Sequence, residues 1–486
     1  MKRRLFAVSI ALAASIGLSA CGGSTSSLPS ALSFGERHGS GSSPIQHVVI
    51  VVQENRSFDN LFALFPGANG AKRGKMRVKS GSGYVDKWET LKKHSLFLST
   101  DIGHCHSAFE TDYDNGKMDG FNQVARGVCG SHAKPIGTLA YQFVKETDIQ
   151  PYWDIAQQWV LSDAMFQTQG SGSFTAHQDL IRGGTTIQSS PVESLVDNPT
   201  LMPWGCDAPS KTTTYLIDAN GNVTPNGPFP CSNKFPNYAS GGYKTLADLM
   251  DAKGVNWKYY SPCFIASPGP SCSNDCKTCG GALLNAFDVI YPVRYGPEWG
   301  TNVSMPETNI FTDVDNGTLP NVSWVIPEDD ANDHPGSRTD TKGPSWVASV
   351  VNAIGQSQYW NSTAIIVLWD DWGGFYDNAK PPFQDSWGGL GFRVPMLVIS
   401  PYAKAGSSSQ GGYISHTQYE FGSILKYIED NWNLGRLNTT DSRAAHSIGD
   451  VFNYAQSPRQ FNSIPSEFDA KYFQARAGKP QRGDPE

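Results

Sequence analysis

The feature that most constrains the fold is a nearly uninterrupted β-branched run from Ile45 to Val52. Strands of this composition are buried on both faces, as in parallel sheets that are covered by helices. Runs of the same character occupy Val322 to Ile326, Ala364 to Trp369 and Val394 to Ser400. A chain with four such strands needs helices on both sides of its sheet.

Helical periodicity appears between and after these runs, in Thr245 to Lys253, Ser345 to Ile354 and Thr417 to Trp432. We therefore predict an α/β fold in three layers, a doubly wound sheet with helices on both faces. Residues 190–300 differ, because they are rich in Pro, Gly, Asn and Cys and show little periodicity. We interpret this segment as a cysteine-rich insertion or cap over the sheet.

Polar residues follow two of the predicted strands. Glu54 and Asn55 come after the first run, and Asp370 and Asp371 follow the run that ends at Trp369. Ligands of open α/β sheets bind beyond the carboxyl ends of the strands. Adjacent carboxylates behind a buried strand are costly unless a cation neutralises them, and an oxygen-rich set suits a hard divalent ion. The sequence therefore predicts a divalent metal ion, whose identity it leaves open.

Several longer phrases, in the same order along the chain, resemble the bacterial phosphoesterase family that holds phospholipases C and acid phosphatases. They are Glu54 to Asp59 (ENRSFD), Asn115 to Phe121 (NGKMDGF), Gly172 to Gln178 (GSFTAHQ), Asn332 to Pro335 (NDHP), Asp370 to Asp377 (DDWGGFYD) and Ser415 to Thr417 (SHT). The resemblance covers most of residues 45–433 outside the cysteine-rich segment. It implies an alkaline-phosphatase-like fold, in agreement with the strand pattern.

The resemblance also implies roles for individual residues. The metal ligands would be Glu54, Asn55, Asp370 and Asp371, and the nucleophile would be the hydroxyl of Ser173. Residues that would line or adjoin the phosphate site are His104 or His106, Asp333, His334 and His416. In this scheme Ser173 attacks phosphorus to form a phosphoserine, a histidine protonates the leaving alcohol, and water then releases phosphate.

Three details of this assignment stay open. His104 and His106 are two residues apart, so we expect only one of them to face the site and favour His104. His177 follows the nucleophile, and its role is not assigned. Asp377 is followed by Asn378, where family members commonly carry histidine, so protonation of the leaving group could differ here.

The N-terminus resembles an export signal. Lys2, Arg3 and Arg4 precede an apolar run that ends at Ala20, and Cys21 follows a small residue as in a lipobox. We predict a signal peptide at 1–20 and a lipid anchor on Cys21, and hence a periplasmic or cell-surface lipoprotein. Residues 21–44 read as a Ser/Gly-rich tether; the catalytic domain is expected at 45–470 and a tail at 471–486.

Charge and cysteine content limit the possible partners. The net charge of −7 argues against nucleic acid as a ligand. Of the nine cysteines, eight remain once Cys21 is set aside, and in an exported chain we expect them to form structural disulfides. The sequence does not give their pairing.

With the roles that the resemblance implies, three functions remain. The favoured one is a phosphomonoesterase of the acid phosphatase type, because Ser173 supplies the hydroxyl and no lipid-binding module is evident. The second is a phospholipase C that acts on phosphodiesters, which the same site could serve. The third is a non-catalytic surface-binding lipoprotein, and retention of all four metal ligands and of Ser173 argues against it. Oligomeric state is left open.

Overall fold

The computed structural model describes residues 43–127, 129, 133–263, 284–336, 340–385, 389–407 and 411–477. The predicted signal peptide, Cys21 and nearly all of the predicted tether lie outside these residues. Within the described ranges, no helix combines the length and the apolar character needed to cross a membrane.

The described strands are β1 (His47–Gln53), β2 (Arg73–Ser80), β3 (Gly83–Thr90), β4 (Lys92–His94), β5 (Gln142–Val144), β6 (Val160–Ser162), β7 (Met165–Phe166), β8 (Thr186–Ser189), β9 (Val192–Val196), β10 (Tyr215–Asp218), β11 (Val223–Thr224), β12 (Trp257–Tyr260), β13 (Val303–Ser304), β14 (Val322–Val325), β15 (Thr363–Trp369), β16 (Met396–Ile399), β17 (Tyr413–Ser415) and β18 (Tyr419–Glu420). The described α-helices are α1 (Phe58–Phe62), α2 (His106–Tyr113), α3 (Gln150–Gln158), α4 (Ser173–Arg182), α5 (Leu246–Asp251), α6 (Tyr291–Arg294), α7 (Glu298–Thr301), α8 (Asn309–Asp315), α9 (Lys342–Gly355), α10 (Phe421–Trp432), α11 (Thr440–Arg443) and α12 (Ala470–Arg476).

Eight strands form the central sheet, in the order β13-β12-β14-β1-β15-β16-β6-β17. β16 is antiparallel to both of its neighbours, and the other neighbouring pairs are parallel. The run Val394 to Ser400 thus yields an antiparallel strand among parallel ones. Its residues are buried on both faces, so its composition matches that of the parallel strands.

Helices cover both faces of this sheet. Successive side chains of a strand point to opposite faces of the sheet, and register partners in parallel strands point to the same face. Ile50 and Trp324 therefore lie on one face of the sheet, and Gln53 and Trp369 lie on the other. The Trp324 indole donates to a carbonyl of α4, whereas the Gln53 amide donates to a carbonyl in α9. The three-layer α/β prediction is confirmed.

Two helix boundaries differ slightly from those expected. α9 begins three residues before the predicted start at Ser345. α10 begins at Phe421 and not at Thr417, because Tyr419 and Glu420 pair with β7 and the Glu420 side chain then caps the helix.

The predicted insertion at 190–300 contains more than a cap. Much of it surrounds a four-stranded antiparallel sheet in the order β11-β10-β9-β8, and a disulfide joins Cys206 to Cys231. β12, however, lies in the central sheet beside β14. The segment interpreted as an insertion or cap therefore includes a strand of the central sheet, which is too short and carries too little pattern to be recognised from the sequence.

Disulfides occur as expected for this set of cysteines. A second disulfide joins Cys105 to Cys129, and Cys263 is also disulfide-bonded. The predicted domain boundary at 470 falls at the start of α12, whose Phe473 packs on Trp346 of α9.

A smaller hydrophobic cluster lies outside the sheet core and is called here the loop cluster. It contains Met76 of β2, Ile102, Phe109 of α2, Trp372 and Phe392. The segments that continue from β1 and β15 pack against it.

Candidate active site

The carboxyl ends of β1 and β15 lie side by side, as the sequence predicts. Gln53 is the register partner of Trp369, so Glu54 and Asp370 are the next residues along two adjacent parallel strands. The backbone N–H of Asn55 donates to Asp370 Oδ1 at 2.8 Å. Asn55 adopts a left-handed conformation with φ of 58°, which asparagine tolerates better than most residues.

The close approach of these two segments requires glycine at position 373. Gly373 has φ of 59°, and a Cβ added there would lie 2.1 Å from the carbonyl oxygen of Asn55. Its N–H donates to Asp371 Oδ1 at 2.7 Å, which fixes that carboxylate. The sequence Asp-Asp-Trp-Gly-Gly therefore provides both the acidic groups and the turn that holds them against β1.

Ser173 is the first residue of α4, and Gly172 is the N-cap. Its Oγ donates to Asp371 Oδ2 at 3.3 Å, and its side chain is buried. The N-terminus of a ten-residue helix carries partial positive charge and favours an anion at this place. The structure thus joins the predicted nucleophile to a predicted metal ligand across 198 positions of sequence.

His177 lies one helical turn after Ser173, on the same face of α4. Its Nε2 is 3.1 Å from Glu54 Oε1 and 3.9 Å from Asp370 Oδ2. The sequence left this residue unassigned. The signal was its spacing of four from Ser173, which places both side chains on one helix face.

The residues present fit a divalent metal ion. Ligand atoms of Glu54, His177 and Asp370 all lie within 4.8 Å of one another, and the three side chains are buried. Asp370 Oδ2 and Asn55 Oδ1 are buried and accept no hydrogen bond from the described part of the chain. Carboxylate and amide oxygens with one imidazole form a suitable donor set for such an ion.

His104 contacts this group directly. Its Nδ1 lies 2.7 Å from the carbonyl oxygen of Ile102, so Nδ1 is the donor, and Nε2 lies 2.9 Å from the amide nitrogen of Asn55. The ring of His334 is 5.7 Å from the ring of His104. His334 Nδ1 likewise donates to a carbonyl, that of Pro335, at 2.5 Å. Both rings are therefore held with the proton on Nδ1, and Nε2 of His104 accepts a hydrogen bond from the Asn55 amide.

His106 has a different environment. Its Nδ1 donates to the carbonyl of Gly170 at 2.8 Å, and its backbone N–H donates to Asp197 Oδ1 at 2.6 Å. Asp197 also accepts from Ser171 at 3.2 Å. These bonds hold the turn that precedes Ser173, so His106 supports the nucleophile loop while His104 contacts Asn55.

Asp333 is directed toward the α3 side of the sheet. Its Oδ2 accepts from the Tyr152 hydroxyl at 2.9 Å and from the Trp369 indole at 3.0 Å, and its carbonyl accepts from Arg56. Burial, partly offset by the charge of Arg56, raises the pKa of Asp333 to about 6. These contacts fix the end of β15 and do not join Asp333 to Ser173.

His416 contacts Asp163 and not the carboxylates that follow β1 and β15. Its side chain is 65% exposed, and Nδ1 is 2.8 Å from Asp163 Oδ2. Asn378 accepts a hydrogen bond from the buried guanidinium of Arg393. Both positions thus adjoin the ion pair around Arg393, whose other partners include Asp377 and the carbonyl of Asp163.

Comparison with known proteins finds a matching family and several relatives. The model of the Phosphoesterase family matches residues 45–435. A "Non-hemolytic phospholipase C" of Burkholderia pseudomallei is 24% identical over 87% of this chain and 61% of its own length. "Phospholipase C B" of Mycobacterium tuberculosis is also 24% identical, over 85% of this chain and 78% of its own. A protein of the alkaline phosphatase superfamily from Vibrio parahaemolyticus aligns with 12% identity and a TM-score of 0.31, over 81% of this chain and 68% of that one.

The chain spans about three fifths of the length of the Burkholderia relative. The matched family is that of phosphoesterases, and both relatives carry the name of a phospholipase C. Because the family match extends over most of the described body, this chain belongs to the Phosphoesterase family.

Proposed function

We propose that this chain hydrolyses phosphate esters with Ser173 as the nucleophile and a phosphoserine as the intermediate. The observation that carries the proposal is the contact of Ser173 Oγ with Asp371 Oδ2 at the N-terminus of α4. Asp371 orients the hydroxyl oxygen and accepts its hydrogen bond. The helix N-terminus stabilises negative charge on the phosphoryl group that Ser173 attacks.

The reaction proceeds in two displacements. In the first, the Ser173 hydroxyl gives its proton to Asp371 and Oγ forms a bond to phosphorus. The bond from phosphorus to the leaving oxygen breaks, and a protonated imidazole of His334 gives its proton to that oxygen. In the second, water attacks phosphorus and gives a proton to the same imidazole, the bond to Ser173 breaks as Oγ takes its proton back from Asp371, and phosphate leaves. His106 and Asp333 act as positioning residues, through the nucleophile loop and the end of β15.

Glu54, Asn55, Asp370 and Asp371 would hold the divalent ion, with His177 added to the ligands that the sequence suggested. When bound, this ion would lower the pKa of the nucleophilic hydroxyl and neutralise charge on the phosphoryl oxygens. The buried Asp370 Oδ2, which accepts no hydrogen bond from the described residues, supports this assignment.

For the substrate class, small phosphomonoesters remain the first candidate, because Ser173 matches the hydroxyl of the acid phosphatases. Phospholipid diesters are the second candidate, and the names of the phospholipase C relatives favour them. A monoester brings two negative charges to the site, whereas a phospholipid diester brings one charge and two apolar tails.

The test compares p-nitrophenyl phosphate with p-nitrophenylphosphorylcholine, with and without chelator. Ser173→Ala should abolish turnover of both while leaving thermal unfolding and metal content unchanged. Ser349→Ala is the control, since it removes an equally buried hydroxyl that bonds a carbonyl within α9, and it should leave most activity. Undiminished hydrolysis by Ser173→Ala would show that Ser173 is not the nucleophile. A higher kcat/KM for p-nitrophenylphosphorylcholine than for p-nitrophenyl phosphate would show that phosphodiesters are the preferred substrate class.

We also propose export and lipidation at Cys21, which would place the enzyme at a periplasmic or cell-surface membrane. The lipobox-like sequence supports this location. Cys21→Ser should move the protein from the membrane fraction to the soluble fraction without loss of activity. A wild-type protein that is already in the soluble fraction would refute lipidation.

A further inference from the structure

The β2–β3 hairpin concentrates positive charge in an otherwise acidic protein. Residues 72–93 contain eight Lys or Arg and only two acidic residues, whereas the whole chain has a net charge of −7. Such a segregated basic segment predicts an anionic partner. The sequence pattern that marks it is alternation of basic residues through β2, followed by the turn Ser80-Gly81-Ser82-Gly83.

The strand register collects the basic and aromatic side chains on one face. Lys75 is paired with Trp88, and Lys79 is paired with Tyr84. Arg73 and Arg77 are on the same face by strand alternation, and their guanidinium carbons lie 5.7 Å and 5.3 Å from the Trp88 and Tyr84 rings. Asp86, the register partner of Arg77, lies on the same side, and Arg77 also bonds Asp114. The four basic and two aromatic residues are called here the basic-aromatic face.

This face is directed away from the body of the protein. Gly74 and Met76 alternate with its basic residues, and both are buried. Tyr84 and Trp88 are each 58% exposed. The face therefore presents two solvent-facing aromatic residues beside basic side chains.

The hairpin is also connected to the catalytic segments. Met76 packs in the loop cluster with Ile102, whose carbonyl binds His104, and with Trp372, which follows Asp371. The Tyr141 hydroxyl further donates to the carbonyl of Lys75. A partner bound to the basic-aromatic face would therefore be held against the same cluster that supports the active site.

We propose that the basic-aromatic face docks on an anionic phospholipid surface. Tyr and Trp favour the polar interface of a bilayer, where the ring is partly apolar and partly wet. Lys and Arg beside them are attracted by anionic headgroups, at about 1 kcal/mol per residue near the surface. The face combines both types, and its charge is complementary to such a membrane. This inference is independent of the ester that Ser173 attacks.

Co-sedimentation with vesicles tests the proposal. The full chain carrying Cys21→Ser, which removes any lipid anchor, is mixed with phosphatidylcholine vesicles that either contain or lack phosphatidylglycerol. It should bind the anionic vesicles more tightly, and high salt should weaken the binding. Lys75→Glu with Lys79→Glu should lower the apparent affinity about tenfold or more, and Tyr84→Ser with Trp88→Ser should also lower it severalfold.

Matched controls come from the same chain. Tyr295 is 57% exposed with Arg294 5.4 Å from its ring, so Tyr295→Ser reproduces the loss of a solvent-facing tyrosine beneath an arginine. Lys211→Glu with Lys253→Glu reproduces the change of charge at exposed lysines. Both controls, and Ser173→Ala, should bind as the parent does, and all variants should keep the parent's unfolding temperature.

Three results would overturn the proposal: unchanged vesicle binding in both hairpin variants, equal binding to neutral and anionic vesicles, or binding to DNA or heparin without binding to vesicles. Failure of the nucleophile assignment would appear instead as activity in Ser173→Ala. The two inferences therefore fail in different experiments.

Discussion

Two groups of buried carboxylates follow the same pair of strands, β1 and β15, and their charge is balanced in different ways. Asp59 and Asp377 lie around Arg393. The Nε of Arg393 is 2.8 Å from Asp377 Oδ1, and its Nη2 is 3.7 Å from Asp59 Oδ1. Burial and the charge of Asp377, opposed by Arg393, raise the pKa of Asp59 to about 8. The Arg393 guanidinium thus bonds Asp377 directly and lies near Asp59, so a cation of the chain itself accompanies these two carboxyl groups.

The second group, Glu54, Asp370 and Asp371, is bonded instead through backbone N–H groups, Ser173 and His177. One of its buried oxygens, Asp370 Oδ2, accepts no hydrogen bond from the described residues. The first group is thus balanced by the guanidinium of Arg393, which also holds the surrounding loops. The second group would be balanced by a bound cation.

The largest expected effect is the loss of metal and activity in Asp370→Asn. The amide keeps the shape but lacks the charge that holds a hard cation, so turnover should fall about 100-fold or more. Elemental analysis and the phosphoesterase assay measure both quantities. Asp377→Asn is the matched control, since it is equally buried in the same segment, and should retain its metal. Equal metal loss in the two variants would erase the distinction between the groups.

Arg393→Met should lower the free energy of unfolding. It leaves Asp377 buried without its guanidinium partner, which costs about 3–5 kcal/mol of unfolding free energy. Denaturant unfolding measures this loss, and the metal content of the folded protein should not change. Adding Asp377→Asn to Arg393→Met should restore part of the stability. A double variant that is no more stable than Arg393→Met alone would contradict the ion-pair account.

Glu307 illustrates a third way to bury a carboxyl group, namely to keep its proton. Burial and the charge of Glu328 raise the pKa of Glu307 from 4.5 to about 8. The folded state then binds this proton more tightly than the unfolded state, so its contribution to stability falls as the pH rises from 4.5 to 8.

Glu307→Gln should therefore be more stable than the parent at pH 8, by on the order of 2 kcal/mol, with little difference at pH 5. Thermal unfolding at several pH values measures this change, and Glu146→Gln is the control at an exposed position. If the stability of the parent and that of Glu307→Gln change with pH in the same way, Glu307 does not keep its proton in the folded protein.

The sequence predicts the central fold and the acidic ends of β1 and β15 well, because each depends on a local pattern. A β-branched run predicts a buried strand, and two parallel strands in register bring Glu54 and Asp370 together. The position of His177 required knowing that Ser173 begins a helix. That turn reads locally as Gly-rich and flexible, and its helical start depends on tertiary packing of α4.

Other features depended on long-range contacts. The direction of β16 is set by its pairing with neighbouring strands and not by its composition. The side of the sheet toward which the Asp333 side chain points is set by its hydrogen bonds with Tyr152 and Trp369. The β2–β3 hairpin has the alternation of a strand but few apolar residues, so a search for buried strands does not find it. Its exposed face became evident only from the register.

The most direct test of the central claim is to locate phosphate on the protein after reaction with a phosphate ester and rapid acid quench. Peptide mass spectrometry should find one added phosphoryl group on the peptide that contains Ser173, and Ser173→Ala should lack it. Phosphate on a histidine, or an active enzyme that never carries phosphate at Ser173, would contradict the account.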